Sequence, residues 1–85
     1  MSVILISVYC PSISKTYDFW VPYDISVGSA LLQFCDAICE HENNDEIFSN
    51  RDSLVVSSYL LGRALGKDET LDFAGIMSGD KLAIL

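Results

Sequence analysis

Basic side chains are scarce in this sequence. Lys15, Arg51, Arg63, Lys67 and Lys81 stand alone against 12 Asp and Glu, leaving a formal charge of −7. Five scattered cations cannot form the basic surface that neutralises phosphates, so no nucleic acid partner is expected. The same shortage argues against an anionic membrane surface. Long apolar runs are missing too. The longest, Val3 to Ile6, falls far short of the ~20 residues a spanning helix needs, so no membrane span is expected. No basic segment precedes that run, which argues against a secretory leader and points to a cytoplasmic protein. Cysteine is limited to Cys10, Cys35 and Cys39. An odd count is a poor disulfide framework, and the thiols are expected to be reduced. No glycine-rich phosphate loop occurs, so nucleotide binding has no support and no cofactor is expected.

What the chain has is apolar content. It is 51% hydrophobic and 20% charged, which excludes disorder as the main state. Its 85 residues suit one small domain over 1–85. Such a domain has room for one core but not for a deep, roofed active site.

Val3 to Tyr9 is β-branched and apolar enough for a strand covered on both faces. Thr16 to Val21 is a second strand, closed by Pro22, and the short connection predicts a hairpin. Asp24 or Ser26 can cap a helix beginning near Val27. Val27, Leu31, Phe34 and Ile38 then recur at helical spacing, predicting a single buried stripe that runs out near Glu40–His41. Residues 41–53 form a polar loop, with Ile47 and Phe48 placed to pin it to the core. Leu54 to Leu60 is a third strand. Leu61 to Leu65 turns into a short fourth. Thr70 to Ile76 has room for one helical turn, and Lys81 to Leu85 is the last strand. One helix among short strands predicts an α+β domain, with the helix across one face of a mixed sheet of four to five strands.

The candidate chemistry is thin. Cys35, Cys39 and His41 offer three soft ligands at best, where a structural zinc site needs four, so buried thiols beside an exposed His are expected and no metal. His41 is the only histidine, and a Cys–His nucleophile would still lack an orienting group and a cleft. Asp36, Glu40, Glu42, Asp45 and Glu46 lack the alternating spacing and glycine of a calcium loop, so they are expected to be a solvated acidic stretch. No catalytic residue is assigned, and the chain is not expected to be an enzyme.

The succession Leu61-Gly62-Arg63-Ala64-Leu65, Thr70-Leu71, Gly75-Ile76 and Gly79-Asp80-Lys81-Leu82-Ala83-Ile84-Leu85 resembles the closing third of the ubiquitin-like, or β-grasp, fold. Gly75-Ile76-x-x-Gly79-Asp80-Lys81-Leu82-x-Ile84-Leu85 is more similar still to the YukD/EsaB family, small bacterial ubiquitin-like proteins associated with type VII (WXG100, or Esx) secretion. The order of elements fits over nearly the whole chain, the closer motif over about its last 25 residues. The resemblance implies a non-conjugating accessory or regulatory component of that secretion system, acting by protein–protein interaction. Ubiquitin and the sulfur carriers of this fold end in a tail with two glycines. This sequence ends Ala83–Ile84–Leu85 inside a predicted strand, so activation at the C-terminus as a modifier or sulfur carrier is the disfavoured alternative.

In such a sheet, alternation places one set of side chains away from the helix. If Ile4, Ile6 and Val8 face the helix, Val3, Leu5 and Tyr9 face outward. If Tyr17, Phe19 and Val21 face inward, Trp20 faces out. Val55 and Tyr59 oppose an inward set containing Val56 and Leu60, and Ala83 and Leu85 point out. Val3, Leu5, Trp20, Val55, Tyr59, Ala83 and Leu85 are therefore expected to form a contiguous apolar interaction face. It would receive a protein partner, either a type VII secretion component or a second copy in a homodimer.

Overall fold

The computed structural model describes residues 2–85. Its elements are β1 (Val3–Cys10), β2 (Lys15–Pro22), α1 (Val27–Glu42), β3 (Val56–Ser58), β4 (Arg63–Leu65), α2 (Leu71–Ala74) and β5 (Lys81–Ile84). The five strands make one sheet in the order β2-β1-β5-β3-β4. β1 and β5 run parallel, and the other three pairings are antiparallel. This is the α+β arrangement that the order of elements predicts.

The hairpin β1–β2 closes through a 3₁₀ turn at Pro11–Ile13. Ser14 completes it in the left-handed region at φ 53°, and its N–H donates to the Pro11 carbonyl. At the start of α1, Ser26 is the cap, its Oγ accepting the Ser29 N–H at 3.2 Å. The N–H groups of Val27 and Gly28 donate to the Glu69 and Lys67 carbonyls at 2.7 and 2.9 Å. A β-carbon on Gly28 would sit 3.2 Å from the Lys67 oxygen, so glycine permits this close seating of the 66–69 loop.

The helix presents Val27, Ala30, Leu31, Phe34, Cys35, Ile38 and Cys39 to the core. Ile4, Ile6, Val8 and Cys10 of β1 meet them from the sheet, with Val21, Val56, Leu65, Leu82 and Ile84. Each large side chain so buried contributes about 1.5–3 kcal/mol of transfer free energy. The Phe34 and Phe19 rings lie 4.7 Å apart and tie α1 to β2. Leu71, which opens α2, and Ile76, just after it, are fully buried, and Phe48 anchors the polar loop in the same core.

Two expectations need correction. The helix does not stop at Glu40–His41 but continues to Glu42, with Asn43 in the left-handed region closing it. Its last turn is held from a distance: Lys15 Nζ donates to Glu42 Oε1 at 2.8 Å, and the Tyr17 hydroxyl donates to Glu42 Oε2. The third strand is shorter than the apolar run Leu54 to Leu60. Only Val56–Ser58 pair as a strand, although Val55 still exchanges both backbone hydrogen bonds with Leu85. Leu60, expected to face inward, is 64% exposed. The chain turns after Ser58, whose Oγ accepts the Leu61 N–H at 3.1 Å while its carbonyl accepts the Gly62 N–H at 2.9 Å. Gly62 takes φ +66° to complete that turn, and strand alternation ceases to apply beyond it.

Candidate interaction face

The pleat of the sheet sends alternate residues of each strand away from α1. Cross-strand register sets them in rows. Trp20 lies beside Leu5, and Val3 beside Pro22. Asp18, Ser7 and Lys81 form the next row, and Thr16, Tyr9, Ala83 and Ser57 the one after. Tyr59 adjoins Lys81, its N–H donating to the Lys81 carbonyl.

These rows correct the expectation of one contiguous apolar patch. Ser7 Oγ donates to Asp18 Oδ1 at 2.8 Å, and with Lys81 alongside they draw a polar band across the face. Val3, Leu5 and Trp20 fall on one side of it. Val55, Ala83 and Leu85 fall on the other, and Tyr59 ends the band's own row beside Lys81. The side chains also differ in accessibility. Trp20 is 68% exposed and Tyr59 56%, and Val3, Val55 and Leu85 are exposed as well. Leu5 is half-buried. Ala83 is 3% exposed, flanked in its row by Tyr9 and Ser57. It can act only as a floor. With Leu85, Tyr59, Ser57, Ser58 and Gly62 it lines a shallow hollow of about 310 Å³.

Sequence reasoning left Lys81, Met77 and Phe73 out of the face. Lys81 extends over the hollow's edge, its ammonium 5.3 Å from the Tyr59 ring centroid and 5.6 Å from that of Tyr9. Alternation along β5 and β1 marks both Lys81 and Tyr9 as outward, but only the fold shows that they meet. Met77 and Phe73 are also exposed, and the turn carrying Met77 adjoins the first half of the face. There Ser78 Oγ accepts the Leu5 N–H at 3.1 Å, and the Gly79 N–H donates to the Leu5 carbonyl at 2.7 Å. Neither residue carries a periodic signal in so short a segment.

The other candidate chemistry disperses. Cys10, Cys35 and Cys39 are free and buried. Burial pushes the Cys35 thiol up to about 11, away from the thiolate a nucleophile needs. The His41 ring packs edge-on against Tyr17 at 5.5 Å. Among the described residues no group of three or more His, Cys, Asp or Glu is placed to hold a metal. No helix among them is long and apolar enough to cross a membrane.

The chain has the ubiquitin-like β-grasp fold. Solved structures of that fold superpose on nearly all of it. The ubiquitin of Caldiarchaeum subterraneum matches with a TM-score of 0.68 and 20% identity, covering 98% of this chain and 91% of that one. The ubiquitin-like domain of Plasmodium falciparum Dsk2 matches at 0.67 and 18% identity, over 98% and 96%. The ubiquitin-like domain of the Mycobacterium tuberculosis type VII secretion system protein EccD1 matches at 0.70 and 13% identity, over 100% and 99%. No protein-family model and no curated protein matches the sequence.

Proposed function

We propose that this chain is a docking module of bacterial type VII secretion, a single cytoplasmic domain that binds a protein partner through the outer face of its sheet. It works without catalysis, cofactor or conjugation. The observation that carries the reading is the set of large apolar side chains left in solvent on that face, Trp20, Tyr59, Val55 and Leu85. Exposed apolar surface of this kind commonly marks a protein interface. The secretion context rests on the Gly75 to Leu85 motif, which resembles the YukD/EsaB proteins, and on the likeness in shape to the EccD1 domain. Tyr59 is the chosen anchor, since aromatic residues dominate interface hot spots.

The test is co-expression of the chain with the membrane and substrate components of a type VII system, comparing the parent with Tyr59→Asp. The parent is expected to co-purify with one component. The variant should keep its circular dichroism spectrum, since Tyr59 is exposed, and lose that component. Light scattering on the parent alone reads out the second copy as partner, because a dimer dissociated by Tyr59→Asp would place a homodimer on this face. A folded variant with unchanged association removes the face from the account. A parent that binds no component removes the secretion context.

A further inference from the structure

Four of the five cations of this acidic chain already have an oxygen partner. Lys15 pairs with Glu42, Arg51 with Asp36 and Arg63 with Glu69. Lys67 Nζ donates to the Asp52 carbonyl at 2.8 Å. Lys81 is different. Among the described residues it makes no salt bridge or side-chain hydrogen bond, and its ammonium stands over two tyrosine rings instead. Exposed contacts of this kind hold the charge in place without neutralising it. An ammonium so placed keeps its three donors for an acceptor from outside.

Charge is unevenly spread around this cation. Asp36, Glu40, Glu42, Asp45, Glu46 and Asp52, half of the 12 acidic residues, lie on α1 and the loop after it, and Asp80, next to Lys81 in sequence, turns its carboxylate to the Met77 N–H at 2.8 Å. The one carboxylate within the strands of the outer face, Asp18, accepts from Ser7. The carboxylates nearest to Lys81 along the strands, Asp18 and Asp80, are thus turned to other donors, and neither pairs with the ammonium. Next to Lys81 opens the hollow of Tyr59, Ala83 and Leu85, shallow and with room for an aliphatic side chain.

Resting on the docking reading above, we infer that the partner presents a carboxylate to Lys81 with an aliphatic side chain seated beside it in the hollow. Tyr9 and Tyr59 set the position of the ammonium, and Ala83, having no bulk, sets the depth of the seat. The partner is thus recognised by an acidic residue next to a branched apolar one, although the chain as a whole carries −7 and would attract basic proteins at long range.

The experiment is an NMR titration of the parent chain with N-acetyl-leucine, which joins an isobutyl group to a carboxylate, and with N-acetyl-leucinamide, which lacks the charge. The acid is expected to shift the Ala83 and Leu85 methyl and Tyr59 ring resonances, and to bind roughly two to five times tighter than the amide, the size of one exposed ion pair. Lys81→Gln should erase that preference, and Lys81→Arg should retain it. Equal binding of acid and amide overturns the carboxylate inference while leaving the face as a docking site. Shifts confined to other surfaces, or none, overturn the hollow as the seat; the docking reading itself then stands or falls on Tyr59→Asp in the co-purification.

Discussion

Ser58→Ala probes the joint between core and interaction face. Ser58 is the one polar residue fully enclosed among the described residues, at 1% exposure. Its Oγ accepts the Leu61 N–H at 3.1 Å and so closes the turn that carries Tyr59. Alanine fits the same space but leaves that partly buried N–H without an acceptor. An unsatisfied buried donor costs about 1–3 kcal/mol, and partial burial puts this one near the lower end. In a domain of this size each kcal/mol moves the midpoint of thermal unfolding by about 4–8 °C. The expected outcome is a loss of about 1–2 kcal/mol, read by urea and thermal unfolding followed by circular dichroism. Ser57→Ala is the control. Ser57 lies on the opposite face, its Oγ a weak 3.5 Å from the Arg63 carbonyl, so its loss should stay within about 0.5 kcal/mol. Equal effects for the two serines, or a Ser58 variant as stable as the parent, would refute the turn as described.

Gly79→Ala should destabilise by about 1–2 kcal/mol, because Gly79 sits at φ +94° while open space around it leaves no clash to add; chemical denaturation measures it. Lys15 and the Tyr17 hydroxyl hold the Glu42 carboxyl below its ordinary value of 4.5. A depressed folded pKa stabilises above that ordinary value and loses its contribution as pH falls through the folded one, so Glu42→Gln should flatten the acid side of the stability–pH profile. Burial and the Glu42 carboxylate raise Tyr17 from 10.0 to about 12. Tyr17→Phe should therefore remove a late step from the tyrosinate absorbance titration, and an unchanged curve would contradict the pairing. Cys10, Cys35 and Cys39 should stay unreactive to a thiol reagent near neutral pH until denaturant is added, and native mass spectrometry should find no zinc.

The sequence was most legible where a residue's fate depends on near neighbours. The stripe Val27, Leu31, Phe34 and Ile38 declares a helix face by spacing alone, and the alternation of Ile4, Ile6 and Val8 separates the two faces of β1. Legibility failed where a distant partner decides. Glu42 looks like the start of an acidic loop until Lys15 and Tyr17 reach it across 27 and 25 positions of sequence. Leu60 reads as the next inward residue of a strand until Ser58 turns the chain away beneath it. On the candidate face, facing followed from alternation, but the band of Ser7, Asp18 and Lys81 follows from register among three strands, which no local pattern encodes. Ala83 shows a further limit. Alternation gives its direction, whereas its burial depends on the side chains of two neighbouring strands.

The central claim is that the outer face beside β5 and β3 is where a partner docks. Its most direct measurement is chemical-shift mapping of the isotope-labelled chain against whichever protein co-purifies with it. The account predicts perturbations at Val55, Ser57, Tyr59, Lys81, Ala83 and Leu85, with α1 unaffected. Perturbations centred on the exposed side of α1 and on the acidic 43–50 loop, with Tyr59 and Leu85 unmoved, would contradict it.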